Sequence, residues 1–95
     1  MPVYLTVDTD AFDPSIAPAV GHPQLHGLGW DAIGRVLTAI ERAGCELVGA
    51  DWTEYNPEYD TRNHLTALGI VESLIAITGA LAKHHARASE LAKVA

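Results

Sequence analysis

The sequence predicts an α/β fold. Two short β-rich runs, Val3 to Val7 and Leu47 to Trp52, alternate with two helical patterns over 31–43 and 64–83. A long loop carrying proline and glycine follows the first run, and acidic residues stand at the end of each run. The order strand, helix, strand, helix implies a parallel strand pair joined by a right-handed crossover.

Each element has its own signal. Val3-Tyr4-Leu5-Thr6-Val7 lacks a polar face, which suits a strand buried on both sides. The segment from Asp8 to Gly29 contains Pro14, Pro18 and Pro23; loops of this length inside compact domains are usually functional. In the segment Asp31 to Ala43, Ile33, Val36, Leu37 and Ile40 fall at i, i+3, i+4 and i+7 and form one apolar stripe. Gly44 supplies a left-handed stop. A loop around Pro57 follows the second strand. Asn63 is the expected cap of a long helix beginning at His64. Residues 84–95 are expected to be a helical or frayed tail outside the domain of residues 1–83, with His84 and His85 solvated. The apolar stretch Leu65 to Ala82 holds one charge, Glu72, and is interrupted by Gly69, Ser73, Thr78 and Gly79. A membrane span needs about 20 apolar residues, so a helix laid on a sheet is expected instead.

Composition narrows the function classes. A chain of 95 residues, 48% hydrophobic, suits one small domain with a modest core and excludes a disordered chain. The net charge of −6 repels nucleic-acid phosphates and anionic lipid, so neither nucleic acid nor membrane is an expected partner. Cys45 is the only cysteine; no internal disulfide can form, and a reducing, cytoplasmic compartment fits best. Met1-Pro2 leads straight into the first strand run, so no signal peptide is expected.

In open α/β sheets, ligands bind beyond the carboxyl ends of the strands. The acidic clusters Asp8/Asp10/Asp13 and Asp51/Glu54 stand there. Two carboxylates one residue apart can reach one divalent cation together or one each, and Mn²⁺ and Mg²⁺ prefer such oxygen ligands. The same heptapeptide, Asp8 to Pro14, also reads as an Asp-rich turn whose side chains satisfy loop N–H groups. Taken alone it leaves both alternatives open.

The wider spacing carries a resemblance. Thr6-Val7-Asp8-Thr9-Asp10, followed by Pro14, Pro18, Ala19 and Gly27, resembles the signature of the ureohydrolases, the arginase/agmatinase family. The block Val48-Gly49-Ala50-Asp51-Trp52-Thr53-Glu54-Tyr55-Asn56-Pro57 is similar to that family's Gly-Ala-Asp-x-x-Glu-x-Asn-Pro segment. The family usually has Ser at the place of Thr6 and an aliphatic residue at the place of Thr9. Its Gly-Thr-Gly-Thr-Pro-Glu stretch appears here altered, as Ala19 to Gln24, and His26 replaces a frequent Gly. The resemblance runs over residues 3–82.

The resemblance implies the C-terminal βαβα part of a three-layer αβα parallel-sheet fold. It implies manganese-dependent hydrolysis of a guanidino C–N bond, releasing urea, with a water activated between two Mn²⁺ ions. Asp8 and Asp10 become metal ligands, Glu54 an acceptor for the substrate guanidinium, and Asp13 a residue that stabilises the loop. A guanidino small molecule is the implied substrate, and a homo-oligomer is expected of the full-length family.

The family's other ligands come from a Gly-Gly-x-His-Ser segment and an Asp-Ala-His-x-Asp segment. Neither occurs in these 95 residues, and His22, His26, His64, His84 and His85 do not match them. The chain is therefore expected to be a fragment with little activity alone. One alternative is a truncated paralogue that binds another subunit through an exposed sheet edge. Another is a phosphotransferase of the haloacid-dehalogenase type, which also places Asp-x-Asp after a strand; Phe12 stands where that type has Thr or Val.

Overall fold

The structure, a computed structural model, describes residues 1–61 and 63–94. It contains β1 (Pro2–Asp8), α1 (Asp31–Arg42), β2 (Glu46–Thr53) and α2 (Leu65–Val94), with 3-10 turns at Thr9–Ala11 and Pro57–Tyr59. β1 and β2 are parallel neighbours, as the crossover order predicts. Their register shifts by one residue between Val3 and Tyr4, because Val3 pairs with Leu47 and Tyr4 with Gly49. Val48 is the extra residue of this bulge.

Side chains alternate across the sheet. Val7 and Leu47 are buried on the inner face, where Leu5, Ala50 and Trp52 join them. Ile33, Leu37 and Ile40 of α1 and Ile77, Ala80 and Leu81 of α2 close the same core. Phe12, from the loop after β1, is 1% exposed within it. Its ring lies 4.6 Å from that of Trp30 and 5.7 Å from that of Trp52, centroid to centroid, so three aromatics fasten the loop to both α1 and β2. Burying one such side chain contributes about 1.5–3 kcal/mol.

The outer face is open, contrary to the expectation that β1 is buried on both sides. Tyr4 and Val48 are 60% and 55% exposed there. The apolar run VYLTV fits a strand with two covered faces, but both helices of this chain contribute to a core on one face only.

α1 ends as Gly44 predicts. Gly44 has φ +72°, its N–H reaches the Glu41 carbonyl, and the Cys45 N–H reaches the Ile40 carbonyl. This pair of bonds satisfies two otherwise orphaned carbonyls of the last turn.

The start of α2 differs from expectation. Asn63 and His64 both have positive φ and precede the helix, which begins at Leu65. The cap comes from further upstream. Asp60, 4% exposed, accepts the Thr66 N–H on Oδ1 and the Ala67 N–H on Oδ2, and Oδ2 also takes the Tyr55 hydroxyl at 2.7 Å. Burial pushes the Asp60 pKa up, but the Tyr55 hydroxyl and the two N–H donors outweigh it and hold the group below its ordinary value.

α2 is long and apolar enough to cross a membrane by length and composition alone. In this structure one face of it is buried, at Ile70, Ser73 and Ile77, and Ile77 and Leu81 join the core beneath the sheet. That face continues past residue 83. His84 is buried and accepts the Leu47 N–H on Nδ1, so the expectation of a solvated His84 fails; His85 is exposed. The helical spacing 70, 73, 77, 81, 84 explains why His84 faces inward and its neighbour does not.

Candidate active site at the strand ends

The register sets the site. Asp8, the last residue of β1, pairs with Thr53, the last residue of β2, and Glu54 follows directly. Asp8 and Glu54 therefore leave the sheet at the same carboxyl end, both exposed.

Asp8 caps the 3-10 turn: its Oδ1 accepts the Asp10 N–H at 2.8 Å. This bond orients the first carboxylate and fixes where the second begins. Asp10 is partly buried, and its Oδ1 is a buried oxygen without a hydrogen-bond partner among the described residues. Buried polar atoms are ordinarily satisfied, so an orphaned carboxylate oxygen fits a cation or a donor from outside these residues. Two adjacent hard oxygen donors suit Mn²⁺ in type. They fall short in number, because the described residues contain no group of three or more His, Cys, Asp or Glu that could hold a metal ion.

Asp13 does what the turn reading of the heptapeptide expects. It accepts the Ser15 N–H and hydroxyl on Oδ2 and the Gly27 N–H on Oδ1. The Ser15 hydroxyl, then the Ser15 N–H, lower its pKa. Backbone bonds from Asp13 N–H to the Leu28 carbonyl and from Leu28 N–H to the Ala11 carbonyl close the base of the loop. Gly27 sits against this closure: a Cβ there would lie 2.6 Å from Asp13 N and from the Phe12 carbonyl carbon. The far side of the loop is tied to the second acidic segment, since Asn56 N–H donates to the Ala19 carbonyl and Ala19 N–H to Thr66 Oγ1. Loop and strand ends are thus one packed unit.

Glu54 has φ +66°, a left-handed conformation that L side chains rarely adopt. Such strain concentrates at functional positions. Its flanks are held. The Thr53 carbonyl accepts from Thr9 Oγ1 at 2.7 Å, and Tyr55 is tied to Asp60. The departure at Thr9 has a partner: Thr9 Oγ1 also accepts the Trp52 indole N–H at 2.8 Å. Trp52 packs in the aromatic cluster, and Tyr55 is anchored by its hydroxyl. Sequence reasoning missed Asp60. The signal was a carboxylate five residues before an apolar helix, with a tyrosine five residues before that.

A groove of about 1160 Å³ runs between α1 and α2 and is lined by residues such as Trp30, Arg35, Gly69 and Glu72. None of Asp8, Asp10 and Glu54 lines it. The carboxylates instead occupy an open end of the sheet. His22, His26 and His64 are exposed.

The sequence profile of the arginase family matches residues 1–79. This chain belongs to the arginase family. The mitochondrial arginase of Medicago truncatula is 42% identical over 66 residues, covering 70% of this chain and 19% of that protein. An agmatinase of Neisseria meningitidis serogroup C is 43% identical over 68 residues, covering 72% of this chain and 21% of that protein. Among solved structures, the agmatine ureohydrolase of Thermoplasma volcanium superposes with a TM-score of 0.72 at 30% identity, over 90% of this chain and 28% of that one. The chain thus spans about a fifth of the length of the curated relatives it matches. Its α/β architecture is that of part of an arginase/agmatinase fold. Membership does not favour the phosphotransferase alternative.

Proposed function

We propose that this chain provides part of a ureohydrolase active site, in which Asp8 and Asp10 hold divalent manganese and Glu54 receives a guanidinium. The pairing of Asp8 with Thr53 carries this reading, because it brings the Asp-x-Asp turn and Glu54 to one end of the sheet. A bound manganese pair supplies the charge that makes water nucleophilic toward a guanidinium carbon at neutral pH. The chain's own residues orient the reactants. Asp8 is set by the Asp10 N–H, and Asp10 offers an oxygen that no described residue occupies. Glu54 presents a carboxylate to a planar cation with several N–H donors, a well-matched pair in charge and geometry. Its left-handed backbone sets the direction in which that carboxylate leaves β2.

The substrate is a guanidino compound. Relatives named arginase and agmatinase match at 42% and 43% identity, so the likeness does not choose between arginine and agmatine. Two carboxylates form at most a weak cation site, because the chemistry needs two fixed ions. The 95-residue chain should therefore release urea at no more than background rate with excess Mn²⁺. Mn²⁺ titration followed by electron paramagnetic resonance should show weak binding that Asp8→Ala and Asp10→Ala each abolish. Robust manganese-dependent urea release by this chain alone, lost in Asp8→Ala, would overturn the assignment of an incomplete site. Binding unchanged in both variants would overturn the ligand assignment.

The exposed outer face, with Tyr4 and Val48, favours a second reading in which this face meets another polypeptide. Sedimentation across a concentration series tests it: a strict monomer in every mixture with the rest of a ureohydrolase counts against it.

A further inference from the structure

We infer that Thr9 is a positioning residue, which clamps the strand end carrying Glu54 to the turn carrying Asp8 and Asp10. This deepens, and rests on, the roles proposed for those carboxylates. Thr9 stands between the two aspartates in sequence and is fully buried. Its hydroxyl donates to the Thr53 carbonyl at 2.7 Å and accepts the Trp52 indole N–H at 2.8 Å. A hydroxyl has one proton to give, so its donor is committed to Thr53. The indole is itself fixed, because Phe12 stacks on it with 7° between the ring planes. Phe12 in turn lies against Trp30.

A continuous line of fixed groups therefore runs from the aromatic cluster, through the indole and Thr9, to the carbonyl immediately before Glu54. That residue needs such restraint. A φ of +66° persists at a glutamate only where the surroundings over-determine it. Thr9 is also the first residue of the 3-10 turn whose cap is Asp8 and whose second residue is Asp10. A shift of Thr9 would move both acidic groups together; loss of its hydroxyl would let them move apart.

Thr9→Val keeps the shape and burial and removes both hydrogen bonds, whereas Thr9→Ser keeps the hydroxyl. Nuclear magnetic resonance of the 95-residue chain reads the outcome without any metal. The three-bond amide coupling of Glu54 reports its φ, and the Trp52 indole proton shift reports its bond. In Thr9→Val the Glu54 coupling should change to a conformationally averaged value and the indole proton should move upfield, while amide signals of α1 stay in place. Thr9→Ser should restore both signals. A folded Thr9→Val chain with both signals unchanged overturns the clamp, since a merely space-filling threonine tolerates valine. Failure of Thr9→Ser to restore them overturns it equally. Should Thr9→Val fail to fold, the unmodified chain decides: a slowly exchanging Thr9 hydroxyl proton with a nuclear Overhauser contact to the indole supports the clamp, and a rapidly exchanging one overturns it. Added Mn²⁺ separates this inference from the reading beneath it. It should broaden the signals of Asp8, Asp10 and Glu54 in the unmodified chain, and those of Glu54 less in Thr9→Val. No broadening at Asp8 and Asp10 sinks the metal assignment, and leaves the clamp to be judged on the Glu54 coupling.

Discussion

His84 and Leu47 are joined across 37 residues of sequence by a 2.6 Å hydrogen bond from the Leu47 backbone N–H to the imidazole Nδ1. Leu47 precedes Val48, the extra residue of β2. Because the Glu46 N–H goes to the Met1 carbonyl, the Leu47 N–H points away from β1 and needs an acceptor from elsewhere. It docks the second half of α2 onto the start of β2.

Replacing His84 tests that docking. His84→Ala leaves a buried N–H unsatisfied, which costs about 1–3 kcal/mol. Urea unfolding should show a lower midpoint, and the Leu47 amide should exchange faster with solvent. An unchanged midpoint and an unchanged Leu47 exchange rate would count against the bond.

Asp60 makes stability depend on pH. Its folded pKa lies below the ordinary 3.8, so its contribution is complete above that value. The contribution is lost as pH falls below 3.8 and through the lower folded value. Asp60→Asn should flatten this acid limb and weaken the cap, at a cost of about 0.5–2 kcal/mol near neutral pH. Thermal melts of both chains between neutral and strongly acidic pH provide the check; parallel acid limbs would show that Asp60 is not the responsible group.

Two glycines should respond with opposite signs. Gly27→Ala forces a Cβ to within 2.6 Å of backbone atoms that cannot swing away, and overpacking of this kind costs about 1–3 kcal/mol. Gly34 lies in α1 with nothing within 4 Å of an added Cβ. Gly34→Ala should stabilise by about 0.5–1 kcal/mol. Equal effects in equilibrium unfolding would mean that the loop closure around Gly27 is misplaced.

At Glu54, stability and function should part company. Glu54→Gly relieves a left-handed φ that costs an L residue about 1–2 kcal/mol, less the greater entropy of an unfolded glycine. The variant should be at least as stable as the parent chain, yet lose any measurable affinity for a guanidinium compound. A clear loss of stability on this substitution would show that the carboxylate holds the fold together rather than facing a ligand.

Much of this molecule is legible from its residues, because local signals and tertiary packing agree. Gly44 ends α1 as its lack of a side chain dictates, and the apolar stripe Ile33, Leu37 and Ile40 faces the core. The parallel pairing follows from strand order alone. What escaped notice depends on contacts between distant segments. Asn63 has the right chemistry for a cap, but Asp60 takes both N–H groups because the turn at Pro57–Tyr59 swings its carboxylate beneath the helix. His84 looks like part of a polar tail until the helix is seen to continue across the sheet. The double use of the Thr9 hydroxyl requires Trp52, 43 residues later. The Asp-x-Asp turn and Glu54 were visible as candidates through a motif, and strand order put both at one end of the sheet; the pairing of Asp8 with Thr53 needed the register.

The bulge at Val48 has a bearing on how this segment can vary in length. Removing one residue from a paired strand ordinarily inverts every side chain beyond the cut. Here Val48 is the surplus residue, with no partner opposite it on β1. A chain lacking Val48 would place Gly49 directly after Leu47, still opposite Tyr4, and regularise the ladder. The pairing of Asp8 with Thr53, and the exit of Glu54 beyond it, would survive the deletion. β2 thus contains, in mid-strand, a site where a codon can be lost without carrying the acidic groups out of alignment.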